Sequence, residues 1–186
     1  MQYIIVGLGG QGILFTSRVL GHIAVSRGEH VMGSEVHGMA QRGGSVISHF
    51  KVGDYSSPLV LTGAADLMLS FDQNEGIRNL HLLRNGGKAI LNVHAPEAME
   101  NPHLKSFLAE RQIETFCLPG YDILRKKMGG RFLFMNVLIL GAMCGAGAGN
   151  LSMEEVRDAV EKLAPAKFKA DNLKAVDLGY AHFAGK

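Results

Sequence analysis

Two glycine-rich segments hold the residues of this sequence that are best suited to binding an anion. The first is Gly7-Leu8-Gly9-Gly10-Gln11-Gly12, whose glycines follow the Gly-x-Gly-x-x-Gly spacing of a phosphate-binding turn. Glycine lets the backbone approach a phosphate closely, and the free N–H groups at the start of a following helix favour negative charge. Because any tight turn between a strand and a helix favours glycine, a purely structural turn remains an alternative.

The second segment runs from Glu35 to Ser45 and brings an acid, a histidine, an amide and a guanidinium close together. Arg42 can pair with a phosphate or carboxylate through its planar fork, or it can pair with Glu35 and simply order the loop. Glu35 also lies about where the ribose-binding acid of dinucleotide folds sits, near the end of the second strand. His37 is an acid–base candidate, although a loop histidine more often bonds only to the backbone.

Alternating strand and helix patterns position both segments. Residues 3–6 and 29–36 are predicted strands that end at the two glycine segments, and Ile13–Ser26 is a predicted helix. Ser45–Val52 is a third predicted strand, and the stretch 45–61 is predicted to add an antiparallel hairpin. Further strands are predicted over 67–71, 88–93 and 113–117, and helices over 74–84, 103–110, 121–127, 132–145, 153–163 and 167–183.

This order predicts one domain over residues 1–186 with an α/β fold: three α/β/α layers around a Rossmann-like, mostly parallel sheet. In an open sheet of this kind ligands bind outside the carboxyl ends of the strands. Both glycine segments follow strands, so we expect them to line one crevice at that edge.

Composition excludes several functional classes. Hydrophobic residues make up 47% of the 186 and charged residues 19%, which is typical of a globular chain, and the formal net charge of +2 is too small for a nucleic-acid binder. The two cysteines give no disulfide framework and indicate a reducing, cytoplasmic setting. No P-loop, no Gly-x-Ser-x-Gly elbow and no helical histidine pair for zinc is present in the sequence.

The two glycine segments together resemble a known family. The first, continued by Ile13, and the run His37-Gly38-Met39-Ala40-Gln41-Arg42-Gly43-Gly44 are similar to the γ-type domain of 2-oxoacid:ferredoxin oxidoreductases. Within that family the second segment is most similar to the β subunits of the indolepyruvate enzymes. The resemblance extends over nearly the whole chain, and Asn136 ahead of the segment 140–142 agrees with it.

The resemblance implies a subunit that is inactive alone. The enzyme would convert an aryl 2-oxoacid and coenzyme A to an acyl-CoA and CO2 while reducing ferredoxin, with thiamine diphosphate and [4Fe-4S] clusters on a large α subunit. Two cysteines cannot ligate such a cluster, and the thiamine motif Gly-Asp-Gly is absent from the sequence.

The resemblance also implies that this chain helps to hold coenzyme A and has no catalytic residue or metal ligand of its own. Carried over position by position, it places these residues near the ligand: Gly9, Gly10, Gln11, Gly12, Ile13, Gln41, Arg42 and Asn136. Asn136 has a rival role in capping a buried helix turn. Two other functions remain open, an autonomous NAD(P)-binding protein and a scaffold in which both segments serve a protein interface.

Overall fold

A computed structural model describes residues 1–38 and 43–185 and contains a six-stranded mixed sheet in the order β2-β3-β1-β4-β5-β6. The strands are β1 (Gln2–Leu8), β2 (Val31–His37), β3 (Ser45–Val52), β4 (Ala65–Ser70), β5 (Leu83–Asn92) and β6 (Glu114–Leu118). The helices are α1 (Ile13–Ser26), α2 (Gln73–Asn79), α3 (Pro102–Glu110), α4 (Gly120–Met128), α5 (Met135–Gly145), α6 (Met153–Leu163) and α7 (Lys169–Phe183).

The sheet is parallel on one side and antiparallel on the other. Strands β1, β4, β5 and β6 run parallel, whereas β3 pairs antiparallel with both β1 and β2. The predicted hairpin within 45–61 is therefore wrong, because both edges of β3 are already occupied when the chain leaves it at Val52. The antiparallel hairpin is instead β2–β3, which encloses the second glycine segment.

Alternate residues of the central strand face two separate cores, and this division makes three layers. Tyr3 and Ile5 of β1 belong to the larger core, which α1 and α4 to α7 cover. Ile4 and Val6 belong to the smaller core, which the region of α2 and α3 covers. The predicted α/β fold with helices on both faces is confirmed.

Helices α5 and α7 cross with their backbones in close contact. A Cβ atom added at Gly141 or Gly145 of α5, or at Gly179 of α7, would collide with a backbone carbonyl oxygen of the facing helix. Residues 135–143 of α5 are buried throughout. In the described part of the chain, no helix is both long enough and apolar enough to cross a membrane.

One predicted helix is too long. The pattern over 74–84 predicts a continuous helix, but α2 ends at Asn79, a single 3-10 turn covers Leu80–Leu82, and β5 already begins at Leu83. Leu80, Leu82 and Leu83 are all buried in the smaller core, so their apolar spacing reflects burial of the connection rather than continued helix. The predicted helices over 132–145 and 167–183 likewise begin with 3-10 turns, at Phe132–Phe134 and Ala166–Phe168.

Candidate functional site

The two glycine segments meet at the carboxyl edge of the sheet. The N–H of Gly9 donates to the carbonyl of Gly44 over 2.9 Å, and the N–H of Gly43 reaches the carbonyl of Gly9 over 3.4 Å. The strand register continues this contact, since Leu8 pairs with Ser45. The expectation that both segments share one edge is confirmed.

The start of α1 has the geometry of an anion site. Gly12 precedes the helix in a left-handed conformation (φ 85°), and none of the described side chains caps the helix or places an acid in its first turn. Its carbonyl accepts the N–H groups of Phe15 and Thr16, so the N–H groups before them point out of the helix start. Ile13 is 5% exposed and its side chain lies in the core. Only its backbone N–H therefore faces the open side of the glycine turn, which we call the mouth of the turn.

Gln11 is turned back onto its own turn. Its Oε1 accepts the N–H of Leu8 over 2.7 Å, and its Nε2 lies 3.4 Å from the hydroxyl oxygen of Tyr121. A Cβ atom at Gly7 would lie 2.5 Å from that Oε1, which explains the glycine at position 7. The Oε1 atom of Gln11 is therefore used within the turn, whereas its Nε2 atom is directed toward Tyr121.

Asn136 packs against the same turn from the start of α5. Its Nδ2 is 3.4 Å from the carbonyl oxygen of Gly12, and only 6% of the residue is exposed. Its Oδ1 accepts the N–H of Val137 over 2.9 Å, so part of the amide also serves its own helix. The structure thus brings Asn136 to the predicted glycine turn, where its amide packs against the backbone of Gly12.

The crevice opens where the connections change sides. After β1 the chain crosses to α1 on the larger core, whereas after the neighbouring strand β4 it crosses to α2 on the smaller core. The loops after the two strands therefore diverge. This divergence is the topological switch point at which open α/β sheets bind ligands.

A cleft of about 490 Å³ extends the crevice toward β6. Asp72, His94, Tyr121 and Arg125 are among the residues that line it. Burial, followed by the negative charge of Asp72, raises the pKa of Tyr121, while the hydrogen bond from Gln11 acts in the opposite direction. Tyr121 is therefore a neutral phenol at physiological pH, available for hydrogen bonding at the edge of the glycine turn.

Two buried amides that sequence reasoning missed hold this edge together. Asn92 at the end of β5 donates to the carbonyl of Phe71 and accepts the N–H of Gly120, over 3.0 and 3.1 Å. Gln73 accepts the N–H groups of His94 and Ala95 and donates to the Ala95 carbonyl. For Asn92 the available signal was an amide directly after the apolar residues 89–91 of β5, because such a group must be paired when it is buried.

The remaining predicted residues are placed differently. Gln41 and Arg42 lie outside the described residues. Glu35 lies on β2, and β3 stands between that strand and β1. With strands about 4.8 Å apart, Glu35 is about 10 Å from β1, twice the separation found where the second strand adjoins the first, as in the dinucleotide fold.

The two thiols do not fit an iron–sulfur cluster. Cys117 lies on β6 and Cys144 on α5, and burial raises the pKa of both, to about 12 for Cys144. A typical cluster needs four thiolates, and these two thiols on separate elements cannot supply them. The described residues contain no group of three His, Cys, Asp or Glu side chains that could hold a metal ion.

Comparisons with known proteins agree along the whole chain. The family model described as pyruvate ferredoxin/flavodoxin oxidoreductase matches residues 2–182. The indolepyruvate oxidoreductase subunit IorB of Archaeoglobus fulgidus is 32% identical over 97% of this chain and 94% of its own length. The subunit of the same name from Methanothermobacter thermautotrophicus is 33% identical over 95% and 94%.

Solved structures show the same fold. The γ subunit of a keto/oxoacid ferredoxin oxidoreductase from Geobacter sulfurreducens superposes with a TM-score of 0.71 at 24% identity, over 97% of this chain and 96% of that one. A 2-oxoglutarate:ferredoxin oxidoreductase from Magnetococcus marinus, with 2-oxoglutarate, coenzyme A and succinyl-CoA bound, gives 0.72 at 17% identity, over 97% of this chain and 30% of that one. The chain therefore belongs to the pyruvate ferredoxin/flavodoxin oxidoreductase family, as a small, IorB-like subunit of a 2-oxoacid:ferredoxin oxidoreductase.

Proposed function

We propose that this chain, acting as a single domain over residues 1–186, holds coenzyme A for a cytoplasmic indolepyruvate-type enzyme whose redox cofactors lie on a larger partner. The overall reaction is 2-oxoacid + CoA-SH + 2 oxidised ferredoxin → acyl-S-CoA + CO2 + H⁺ + 2 reduced ferredoxin. Thiamine diphosphate and [4Fe-4S] clusters supply the decarboxylation and electron transfer when bound to the partner. This chain supplies a binding edge and carries no electron.

One observation carries the proposal: the uncapped start of α1 lies beside a second glycine loop at the switch point of the sheet. Phosphate groups bind such helix starts because the N–H groups and the helix dipole favour negative charge. Coenzyme A is rich in phosphate, and its pyrophosphate is the part that this geometry suits. About 30% of the chain of the Magnetococcus marinus enzyme, which was solved with coenzyme A bound, has the same fold as this chain, and this likeness supports the choice of ligand.

Each predicted residue has a part in this arrangement. Gly9, Gly10 and Gly12 provide close backbone approach, the N–H of Ile13 faces the ligand, and Gln11 and Asn136 hold the turn in shape. Gln41 and Arg42 are proposed as further contacts from the second segment, Arg42 to a phosphate. The neighbouring cleft with Tyr121 is where the remainder of the ligand extends from the turn.

The competing function is autonomous NAD(P) binding, and the position of Glu35 argues against it. Glu35, about 10 Å from β1, lies one strand farther from the glycine turn than the ribose-binding acid of the dinucleotide fold does. Titration of the isolated chain with NADH, followed by nucleotide fluorescence, separates the two. We expect no saturable signal at concentrations up to the millimolar range of a weak ligand (about 1 mM).

Steady-state kinetics of the assembled enzyme test the coenzyme A site. Arg42→Gln should raise the KM for coenzyme A by roughly tenfold or more and leave kcat nearly unchanged, because a charge-assisted phosphate contact is lost. Inorganic pyrophosphate should compete with coenzyme A. The matched control is Arg157→Gln on α6, an arginine that pairs with Asp177 away from the edge, and its KM should stay at the wild-type value. An unchanged KM in Arg42→Gln together with no competition by pyrophosphate would refute the proposal.

A further inference from the structure

Three large apolar side chains stand exposed around the mouth of the glycine turn. Leu14 in the first turn of α1 is 54% exposed, and Phe132 and Leu133 in the 3-10 turn before α5 are 43% and 56% exposed. We call these three residues the apolar rim. Water-exposed leucine and phenylalanine grouped at one edge of a protein mark an interaction surface.

The two parts of the rim are joined through the site itself. Phe132 packs edge-on against Tyr121 with ring centroids 5.2 Å apart, and Tyr121 contacts Gln11 of the glycine turn. Asn136, shortly after Leu133, contacts Gly12, shortly before Leu14. The rim is therefore held on defined backbone on both sides of the mouth, as an interface anchor requires.

A positive charge without an ion-pair partner among the described residues lies beside the α1 end of the rim. Arg18 lies one helical turn after Leu14 on the same face of α1 and is exposed. Within the described ranges Arg18 has no ion-pair partner, and the first turn of α1 holds no acid. A surface with an apolar centre and an unpaired guanidinium at its margin is complementary to one that is apolar with an acidic margin.

We propose that the apolar rim is the docking surface for the thiamine-bearing partner subunit, which places a carboxylate over Arg18. This inference rests on the proposed function, because a coenzyme A molecule held at the glycine turn meets the partner's acyl group only if the partner covers this edge. Covering the mouth with apolar side chains also excludes water from a site where hydrolysis would compete with acyl transfer.

A paired-variant experiment on the whole complex tests the docking surface. The variant Leu14→Ser/Leu133→Ser removes two rim residues. The matched control Leu59→Ser/Leu61→Ser removes two leucines that are 47% and 74% exposed on the loop entering β4, at the opposite edge of the sheet. Each variant is titrated against the purified large subunit, and the dissociation constant is measured by sedimentation or native mass spectrometry. The melting temperature of each free variant confirms that it is folded.

We expect the rim variant to bind the large subunit roughly tenfold more weakly or worse, and the control to bind as the wild type does. Arg18→Glu should also weaken binding, and by more at low salt than at high salt, because like charges then face each other across the interface. Unchanged binding in both the rim variant and Arg18→Glu would overturn the proposal, and so would a loss confined to the control.

The kinetics separate this inference from the coenzyme A site. When the large subunit is present in saturating excess, the rim variant should show the wild-type KM for coenzyme A. A raised KM with an unchanged subunit dissociation constant would mean that the rim contacts coenzyme A rather than the partner, which overturns the docking surface and leaves the ligand site standing.

Discussion

The amide of Asn136 at the start of α5 lies against the backbone of Gly12 at the start of α1, with Nδ2 3.4 Å from the Gly12 carbonyl oxygen. A Cβ atom added at Gly12 would come within 2.5 Å of that Nδ2. The conformation of the candidate anion site is therefore set in part by a side chain 124 positions away in the sequence. Glycine at position 12 serves both a left-handed backbone and a close approach by a second helix.

The contact between Gly12 and Asn136 predicts coupled variants. Gly12→Ala should lower the free energy of unfolding by about 2–4 kcal/mol, from left-handed strain and from the clash with Asn136. Adding Asn136→Ala should remove the clash, so the double variant should be about 1 kcal/mol more stable than the sum of the single effects. Urea denaturation measures all three.

Gly10 supplies the control for this comparison of single and double variants. It has φ 99°, yet a Cβ atom there would have no described neighbour within 4 Å. Gly10→Ala should therefore show strain alone, and its effect should add to that of Asn136→Ala. If the effects of Gly12→Ala and Asn136→Ala on stability were also additive, Gly12 and Asn136 would not be in energetically significant contact.

A change from glycine to alanine should have opposite effects on stability at the crossing of α5 and α7 and in helix α1. Gly141→Ala puts a methyl group into the carbonyl oxygen of Val176, and we expect a loss of more than about 3 kcal/mol or failure to fold. Gly21→Ala in α1 meets only the ring of Phe50 at 3.6 Å, an ordinary contact. It should raise stability by about 0.5–1 kcal/mol, because alanine is the better helix former. Thermal melts give both values, and a tolerated Gly141→Ala would contradict the close packing.

His49 predicts a loss of stability on mild acidification. Its Nδ1 accepts the N–H of Val60 over 3.1 Å, and burial, followed by the positive charge of Lys51, lowers the pKa of His49 from its ordinary 6.5. The unfolded chain therefore binds the proton more readily. The contribution to stability is fully present above pH 6.5 and is lost as the pH falls through the lowered pKa of the folded state.

Urea midpoints at pH 8 and pH 5.5 test this expectation. The wild type should lose stability between the two, and His49→Gln, which has no ring to protonate, should lose less. His103→Gln, at an exposed position on α3, should keep the wild-type difference. Equal losses in the wild type and His49→Gln would remove His49 as the cause.

The stability of the carboxyl edge should depend strongly on the buried amide of Asn92. Asn92→Ala leaves the carbonyl of Phe71 and the N–H of Gly120 unpaired in a fully buried place, and we expect a loss of about 2–4 kcal/mol. Asn101→Ala, which removes an exposed helix cap from α3, should lose about 1 kcal/mol. Chemical denaturation compares them, and similar losses would mean that burial adds nothing at Asn92.

Local chemistry in the sequence was sufficient for much of the fold. Helix α1 and strand β3 have the predicted bounds, and so does α6, which begins after a capping box formed by Ser152 and Glu155. The glycine spacing also located the turn after β1. These features depend on interactions within a few residues, which a linear pattern records directly.

Only the tertiary structure decided which distant residues pair with each other. Alternation over 45–52 predicted a strand but not that β1 and β2 would be its two partners, and that choice moved Glu35 away from the glycine turn. The sequence contained Gln11, Asn92 and Asn136 without indicating that the first two would be paired to backbone and the third pressed on Gly12. Periodicity reports which residues are buried, whereas the partner of a buried polar group is fixed only when the whole chain packs.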